Sequence, residues 1–466
     1  MIAGNARIDR LLFWALIVGL TWAPFWQGSN REWTWGVNAI YFGLLILIYE
    51  ARCLVTHRSH AVSSRRIWFP AVAASGVFLL CLIQIIPWTP AQWRHPIWGR
   101  ASGILGRDLA GAISVSPDET ILALLRFLTV CAVFWLSLQL SRSSARAGAI
   151  VRAIAIIGCV YAIYGVGSFF LFPDALLWDK KVFYSESVTS TFVNRNSYAT
   201  YAALGLAAAA SAVADHYAMH GDPIRANWLR RLLSLVSLTI GKGGLWIGCA
   251  FVIGSAFVLT GSRGGTLSGL VGCAALIAFA SVRSRTEVAG VALGVSAGSV
   301  VMGGVLLWFG ETLASRIGNS GLSSDDRLAV YAATWRSILD APLLGFGDGT
   351  FADVFPMYRD ALVGDPGVFW DKAHNSYLEL AQGLGLPMSF VLLAGIVVLT
   401  ASCVRAIFSR RDDFIAPLAA SVATIIVALH SMFDFSMQIQ AVAVTWAALL
   451  GAGVAQSWSS RIDTST

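Results

Sequence analysis

The chain alternates between long apolar runs and short polar breaks over its whole length. A helix needs roughly 20 mostly apolar residues to cross a hydrocarbon core of about 30 Å. Runs of about that length are found at 11–27, 34–50, 67–88, 119–140, 148–172, 197–219, 242–260, 266–282, 288–310, 377–403, 414–432 and 441–458. The pattern therefore predicts an all-α polytopic membrane protein with about 12 transmembrane helices.

Composition excludes the alternative of a soluble protein with an apolar core. Hydrophobic residues make up 56% of the chain and charged residues only 13%, whereas about a quarter of the residues in a soluble domain are charged. The seven cysteines are scattered and show no CxxC spacing. They indicate neither a metal cluster nor a disulfide framework.

The distribution of Lys and Arg predicts the orientation in the membrane. If the N-terminus is cytoplasmic, every cytoplasmic loop carries an excess of basic residues, and the opposite side is acidic. Such an excess marks the cytoplasmic side of a bilayer. We therefore expect both termini in the cytoplasm. The net charge of +7 then reflects orientation and not a nucleic-acid-binding surface, for which no basic module is present.

The spans divide the chain into four segments. They are 1–172 with helices 1–5, 173–310 with helices 6–9 and short outer loops, 311–376 as one large outer loop, and 377–466 with helices 10–12. The large loop contains a helix-like stretch, Ser324 to Leu339, followed by a Gly-rich turn. A loop of this length is more often functional than a simple connection.

Four pieces of sequence on the outer side carry a family resemblance. They are 189–199 (TSTFVNRNSYA), 259–265 (LTGSRGG), 327–351 followed by 373–379 (AHNSYLE), and 430–438 (HSMFDFSMQ). In this order and topology they resemble the O-antigen ligase and Wzy-type polysaccharide polymerase family. The resemblance covers the chain from Pro173 to the C-terminus well and the first four spans only loosely.

The resemblance implies a GT-C-like glycosyltransferase in the bacterial inner membrane. Its donor would be an undecaprenyl diphosphate-linked glycan, and its active face would be periplasmic. It also implies transfer without a metal ion or cofactor. The chain contains neither a nucleotide-binding GxxxxGK[ST] or GxGxxG motif nor an Asp-x-Asp triad in the first outer loop. Direct attack on the anomeric carbon would invert its configuration.

Two arginines are the candidate ligands for the diphosphate. Arg263 lies in a minimal loop among glycines that allow close approach of a ligand to the backbone, and Arg195 is flanked by Asn194 and Asn196. Arginine binds phosphate oxygens through two parallel hydrogen bonds, and a charge at a membrane boundary is costly unless it has a partner. The alternative is that both arginines snorkel to lipid headgroups.

His374 is the candidate general base. Imidazole titrates near neutral pH and can take the proton of an acceptor hydroxyl. The alternative is that His374 only caps the tenth span. Asp371, Asn375 and Glu379 either orient His374 or bind sugar hydroxyls, and the sequence does not decide between these roles.

Further polar residues on the same side have less definite roles. Arg327, on the loop helix, either binds glycan or diphosphate or pairs with a nearby aspartate. His430 and Asp434 form a second His/carboxylate pair, which we interpret as structural.

The predicted activity leaves the acceptor open. A ligase would pass finished polymer to lipid A–core, and a polymerase would pass the growing chain to the next lipid-linked repeat unit. The 430–438 stretch slightly favours an exopolysaccharide-type polymerase. Besides donor, acceptor and bilayer, other polysaccharide export proteins are candidate partners.

A transporter or flippase of lipid-linked oligosaccharide is the alternative function. Transporters often show repeated halves and charges at mid-membrane depth. This chain has no clear internal repeat, and apart from Arg126 its spans are nearly free of charge. A non-catalytic scaffold would leave His374 and the outer arginines without a purpose.

Overall fold

The computed structural model describes residues 2–220, 242–284, 324–360, 369–410 and 413–458. These residues are mainly helical. The helices are α1 (Ile2–Trp22), α2 (Glu32–Val55), α3 (Trp68–Ile85), α4 (Ile97–Leu105), α5 (Pro117–Leu140), α6 (Ser144–Leu171), α7 (Arg195–His220), α8 (Lys242–Leu259), α9 (Arg263–Ser284), α10 (Ser324–Asp340), α11 (Phe351–Tyr358), α12 (Ser376–Ser409), α13 (Ile415–His430) and α14 (Gln440–Ala455). A short antiparallel pair, β1 (Ala175–Leu176) and β2 (Asp179–Lys180), lies between α6 and α7.

Seven helical segments among the described residues are long and apolar enough to cross a membrane. They are Glu32–Val55, Ser64–Ile85, Pro117–Leu140, Ser144–Leu171, Arg195–Tyr217, Arg263–Val282 and Ser376–Ser409. Three shorter apolar segments accompany them, Gly243–Leu259, Ile415–His430 and Gln440–Ala455. The polytopic all-α class is confirmed. The number of twelve stays a prediction, and the predicted span 288–310 lies outside the described residues.

Helix boundaries differ from the expected ones at two places that matter for the site. Arg263 is the first residue of α9 and not part of a loop. α12 is 34 residues long and bends where Gly385 leaves the helical conformation, two residues before Pro387. Pro removes a backbone donor and disfavours a straight helix, which explains the bend.

α14 lies at the centre of the bundle, and all of its residues are buried. It packs on α5 and α13. Small residues allow these close contacts. A Cβ on Gly451 would lie 2.5 Å from the carbonyl oxygen of Phe134, and one on Gly453 would lie 2.4 Å from the Cβ of Ala420.

The ends of α5, α12 and α14 farthest from the large loop are held together by polar side chains. Gln456 Nε2 donates to the carbonyl oxygen of Ser141 at 2.6 Å, and Arg410 donates to Gln456 Oε1 at 2.6 Å. Arg142 donates to the carbonyl oxygen of Ala455 at 2.9 Å. The three helices therefore finish at the same level.

The described parts of the large loop, 324–360 and 369–376, fold onto the opposite end of the bundle. α10 and α11 enclose a small apolar core that includes Val330, Phe355 and Trp370. The segment between these helices, residues 341–350, is here called the Gly-rich turn. Its Gly345, Gly347 and Gly349 all have positive φ angles.

Candidate active site

Four helix termini meet at the end of the bundle that carries the large loop. α7, α9 and α12 begin there, and α13 ends there. The Ser376 amide donates to the carbonyl oxygen of Ser431 at 2.9 Å, and the Val188 amide donates to that of Leu259 at 3.1 Å. The first bond joins the start of α12 to the segment after α13. The second joins the segment before α7 to the end of α8.

His374 lies directly before the cap of α12, in the left-handed backbone conformation with φ of 56°. Its ring contacts those of Trp370 and Phe435 edge-on. Its carbonyl oxygen accepts a hydrogen bond from the Tyr331 hydroxyl at 2.8 Å. Only 12% of the side chain is exposed, so the imidazole is held in a fixed orientation at the edge of the apolar core.

Asp434 is the carboxylate nearest to that imidazole. Asp434 Oδ1 lies 3.5 Å from His374 Nδ1 and accepts a hydrogen bond from the Phe435 amide at 2.7 Å. The side chain is almost completely buried. Burial alone would raise the pKa of Asp434, but His374, His430 and the Phe435 amide outweigh it and hold that pKa below its usual value.

This pairing differs from the one expected from the sequence, which joined Asp434 to His430. His430 is the last residue of α13, and its carbonyl oxygen accepts the Asp434 amide at 3.0 Å. Its Nδ1 faces the hydroxyls of Thr200 at 3.1 Å and Ser436 at 3.2 Å. His430 therefore joins α13 to α7, while Asp434 turns toward His374.

Arg195 begins α7 and lies above the ring of Tyr184, with its guanidinium carbon 5.1 Å from the ring centre. It also donates to Ser187 Oγ at 3.4 Å. Burial raises the pKa of Tyr184, while the charges of Arg195 and Arg327 act in the opposite direction and Asp434 adds to the rise. Tyr184 is thus within electrostatic range of all three residues.

The two asparagines beside Arg195 differ in their surroundings. Asn194 Oδ1 accepts the backbone amides of Asn196 at 2.7 Å and Ser197 at 3.4 Å. It is therefore the N-cap of α7. The carbonyl oxygen of Asn196 accepts from the Thr200 hydroxyl at 3.1 Å. That either side chain binds glycan stays a prediction.

Arg263 is exposed at the first position of α9. The next residue, Gly264, faces the His430 side of the site, because a Cβ there would lie 3.5 Å from Phe433 Cβ and 3.6 Å from His430 Nε2. Ser262 Oγ accepts the Gly265 amide at 3.1 Å and caps the helix. Helix N-termini attract anions, and both α7 and α9 carry an arginine there.

Arg327 approaches from α10 and completes the basic side of the site. Its Nε is buried without a hydrogen-bond partner among the described residues, as are Asp434 Oδ2 and His430 Nε2. Buried polar atoms are nearly always paired. His374 Nδ1 is a fourth such atom, and together the four indicate a surface that binds a polar ligand.

Glu379 and Asn375 hold the segment that bears His374. Glu379 accepts the Ala373 amide at 2.9 Å and a hydrogen bond from Gln438. Asn375 caps α12 by accepting the Tyr377 and Leu378 amides. The cap role considered for His374 therefore belongs to Asn375. Asp371 is exposed and within electrostatic range of Glu379.

Residues 248–393 match the family described as O-Antigen ligase. This region is similar to an O-antigen ligase domain. This match confirms the resemblance found in the sequence, and it includes Arg263, Arg327, His374 and Glu379. The O-antigen ligase family comprises membrane enzymes of the ligase and polymerase type that act on lipid-linked glycans. No curated protein matches the chain.

Three features of this candidate site cannot be inferred from the sequence. The pairing of His374 with Asp434 joins residues 60 positions apart, and only the fold shows it. Tyr184 and Tyr331 lie in segments without a recognisable motif. Arg195 and Asp434 lie outside the matched residues 248–393, and the structure brings both to the same end of the bundle.

Proposed function

We propose that the protein transfers glycan from undecaprenyl diphosphate to an acceptor hydroxyl on the periplasmic face of the inner membrane. The observation that carries this proposal is the His374–Asp434 pair, set beside two arginine-bearing helix N-termini. A base and an anion-binding surface are the two parts that such a transfer requires.

The reaction is a single displacement at the anomeric carbon. The acceptor oxygen attacks that carbon as His374 takes its proton. The bond from the carbon to the diphosphate oxygen breaks, and its electron pair leaves with the diphosphate. Attack from the opposite side of the ring inverts the anomeric configuration.

Asp434 and the arginines stabilise the two charges that develop. The buried carboxylate of Asp434 faces the imidazolium that forms on His374, 3.5 Å away. Arg195, Arg263 and Arg327 stabilise the extra negative charge on the leaving diphosphate, as guanidinium groups do for phosphate oxygens.

Single substitution of His374 and Arg263 by Ala tests this proposal. Each variant is expressed in producing cells, its membrane insertion is checked, and lipid-linked glycan, polymer and ligated product are quantified. We expect both variants to insert normally and to lose at least about 99% of transfer, because a positioned base contributes about 10²–10⁴-fold and a donor that stabilises developing charge about 10²–10³-fold. Lipid-linked donor should accumulate.

Two exposed residues outside the site serve as matched controls, His57→Ala and Arg100→Ala. Both should transfer glycan normally. Accumulation of short repeat units in the His374 variant would identify a polymerase, and accumulation of long unligated polymer would identify a ligase. Normal transfer by both site variants would refute the proposed site, and transport would then be tested.

A further inference from the structure

α5 extends beyond the start of α14 on the side of the large loop. α14 has 16 residues and α5 has 24, and Arg142 and Gln456 hold their C-terminal ends at the same level. At 1.5 Å per residue, α5 therefore extends about 12 Å beyond the start of α14. The Gly-rich turn packs on this part of α5, because a Cβ on Gly349 would lie 2.9 Å from the Cβ of Ala123.

Arg126 stands in α5 about level with the start of α14 and one helical turn from Ala123. Its guanidinium lies over the ring of Trp35 in α2, 4.4 Å from the ring centre. Its Nε is buried and has no hydrogen-bond partner among the described residues, and none of their carboxylates lies within ion-pair distance. A charge inside a membrane helix is expensive and usually serves a function.

Three carboxylates surround Arg126 at longer range. Asp348, Glu119 and Glu379 all act on it electrostatically. Asp348 comes from the Gly-rich turn and lies against α12, with its Oδ1 3.1 Å from where a Cβ of Gly383 would be. Burial raises the pKa of Asp348, and the charge of Arg126 opposes this. Arg126 thus lies in the field of three carboxylates and forms an ion pair with none of them.

This mixture of charges indicates the class of ligand. A diphosphate would be repelled by the carboxylates, and the basic side of the His374 site suits it better. Sugar hydroxyls both donate and accept hydrogen bonds, so they can donate to Asp348 and Glu379 and accept from Arg126. A hydroxyl-rich, uncharged glycan is therefore the ligand that fits.

Glu379 links this charged cluster to the base. Its Oε1 accepts the amide of Ala373, the residue directly before His374, at 2.9 Å. A sugar that bonds to Glu379 therefore lies close to the segment that bears His374.

We propose that Arg126, Asp348 and Glu379 form the acceptor subsite, which binds uncharged sugar hydroxyls of the acceptor glycan and presents one of them to His374. This proposal rests on the proposed transferase function and assigns the second substrate to a position that the donor does not occupy.

The test separates binding of acceptor from binding of donor. Full-length protein in nanodiscs is assayed for affinity toward polyprenyl diphosphate alone, and for transfer from lipid-linked glycan extracted from producing cells. The acceptor is either lipid A–core or a second lipid-linked repeat, and its concentration is varied. The variants are Arg126→Met, Arg126→Lys and Asp348→Asn, with Arg100→Met on the exposed surface as the control.

We expect Arg126→Met and Asp348→Asn to raise the apparent KM for the acceptor about tenfold, in line with the loss of one hydrogen bond to a charged group. Affinity for polyprenyl diphosphate should change less than about twofold, and Arg126→Lys should be intermediate. A raised KM for lipid A–core identifies a ligase, and a raised KM for the lipid-linked repeat identifies a polymerase. Both results support the subsite.

Two results would overturn it. One is an unchanged KM in Arg126→Met and Asp348→Asn, and the other is a parallel loss of affinity for polyprenyl diphosphate, which would place the donor there. If Arg126→Met does not fold, the KM values of Asp348→Asn and Arg126→Lys test the subsite in its place. Wild-type protein that transfers to neither acceptor would instead refute the proposed function, and the subsite with it.

Discussion

At the residue scale, candidate residues can be chosen from the sequence, but their contacts cannot. His374, Arg195 and Arg263 are candidates because charged and titratable residues are rare near apolar spans, and their roles stay predictions. The partner of His374 was missed because Asp434 lies four residues after His430, and this spacing suggested a local pair. In the structure, the local contact is the hydrogen bond from the Asp434 amide to the His430 carbonyl oxygen, and the carboxylate of Asp434 faces His374.

Replacement of Asp434 by Asn tests that contact. The amide keeps the shape of the side chain but lacks the charge that stabilises an imidazolium on His374. We expect kcat for glycan transfer to fall about a hundredfold, with affinity for polyprenyl diphosphate nearly unchanged, measured in nanodiscs. Ser436→Ala, which removes a neighbouring hydroxyl that faces His430, is the control and should retain most activity. Equal activity of Asp434→Asn and wild type would contradict the role of the pair.

The same variant also changes how stability depends on pH. Because the pKa of Asp434 is held below its usual value, its carboxylate stabilises the folded state fully above its unfolded pKa of about 3.9. This contribution is lost as pH falls through the lower folded value. The difference in unfolding free energy between wild type and Asp434→Asn should therefore be largest above about pH 4 and shrink below it. A constant difference would argue against this electrostatic role.

At the element scale, the helix of the large loop was predicted closely, and the architecture around it was not. The expected helix Ser324 to Leu339 is observed as Ser324–Asp340, because its polar start and the proline that follows it are local signals. α11 was not predicted. The Gly-rich turn bonds to α12 and α3, where the Phe346 amide donates to the Gln382 carbonyl at 2.9 Å and Gln84 donates to the Leu344 carbonyl at 2.6 Å.

Gly345 tests how closely this turn must approach α12. It has φ of +66°, and a Cβ there would lie 2.3 Å from the carbonyl oxygen of Gly383. We expect Gly345→Ala to destabilise the protein by about 3 kcal/mol, from backbone strain and overpacking together. The measurement is thermal unfolding of the purified protein in detergent.

Gly106 offers a matched control for the strain alone. Its φ is +62°, but a Cβ there would meet nothing within 4 Å. Gly106→Ala should therefore cost only about 1 kcal/mol. If both variants unfold at the same temperature, the contact between the turn and α12 is looser than the structure indicates.

At the scale of the whole molecule, hydropathy was sufficient for the class but not for the arrangement. Apolar runs predict helices in a bilayer because backbone groups there must bond internally. They do not show that α14 is enclosed on all sides, since a buried helix and a lipid-facing one have the same apolar composition. The choice of partners depends on small residues such as Gly451 and Gly453, whose role appears only once α5 and α13 are placed against them.

Orientation can be tested by labelling with a membrane-impermeant maleimide in whole cells. We expect a cysteine placed at the exposed Arg100 to react from outside, and one at the exposed His57 to react only after the inner membrane is permeabilised. The four buried native cysteines, Cys53, Cys81, Cys249 and Cys403, should contribute little background labelling. The unmodified chain measures the labelling that all native cysteines contribute together. The reverse pattern would invert the topology and move the site to the cytoplasmic face.

The short central helices also determine how deep the site lies. At about 1.5 Å per residue, the 16 residues of α13 and of α14 span about 24 Å, less than a hydrocarbon core of about 30 Å. Their ends on the side of the large loop, His430 and Gln440, are both buried and lie below the level that the longer helices reach. The reaction proposed for this end of the bundle would therefore take place within the thickness of the membrane.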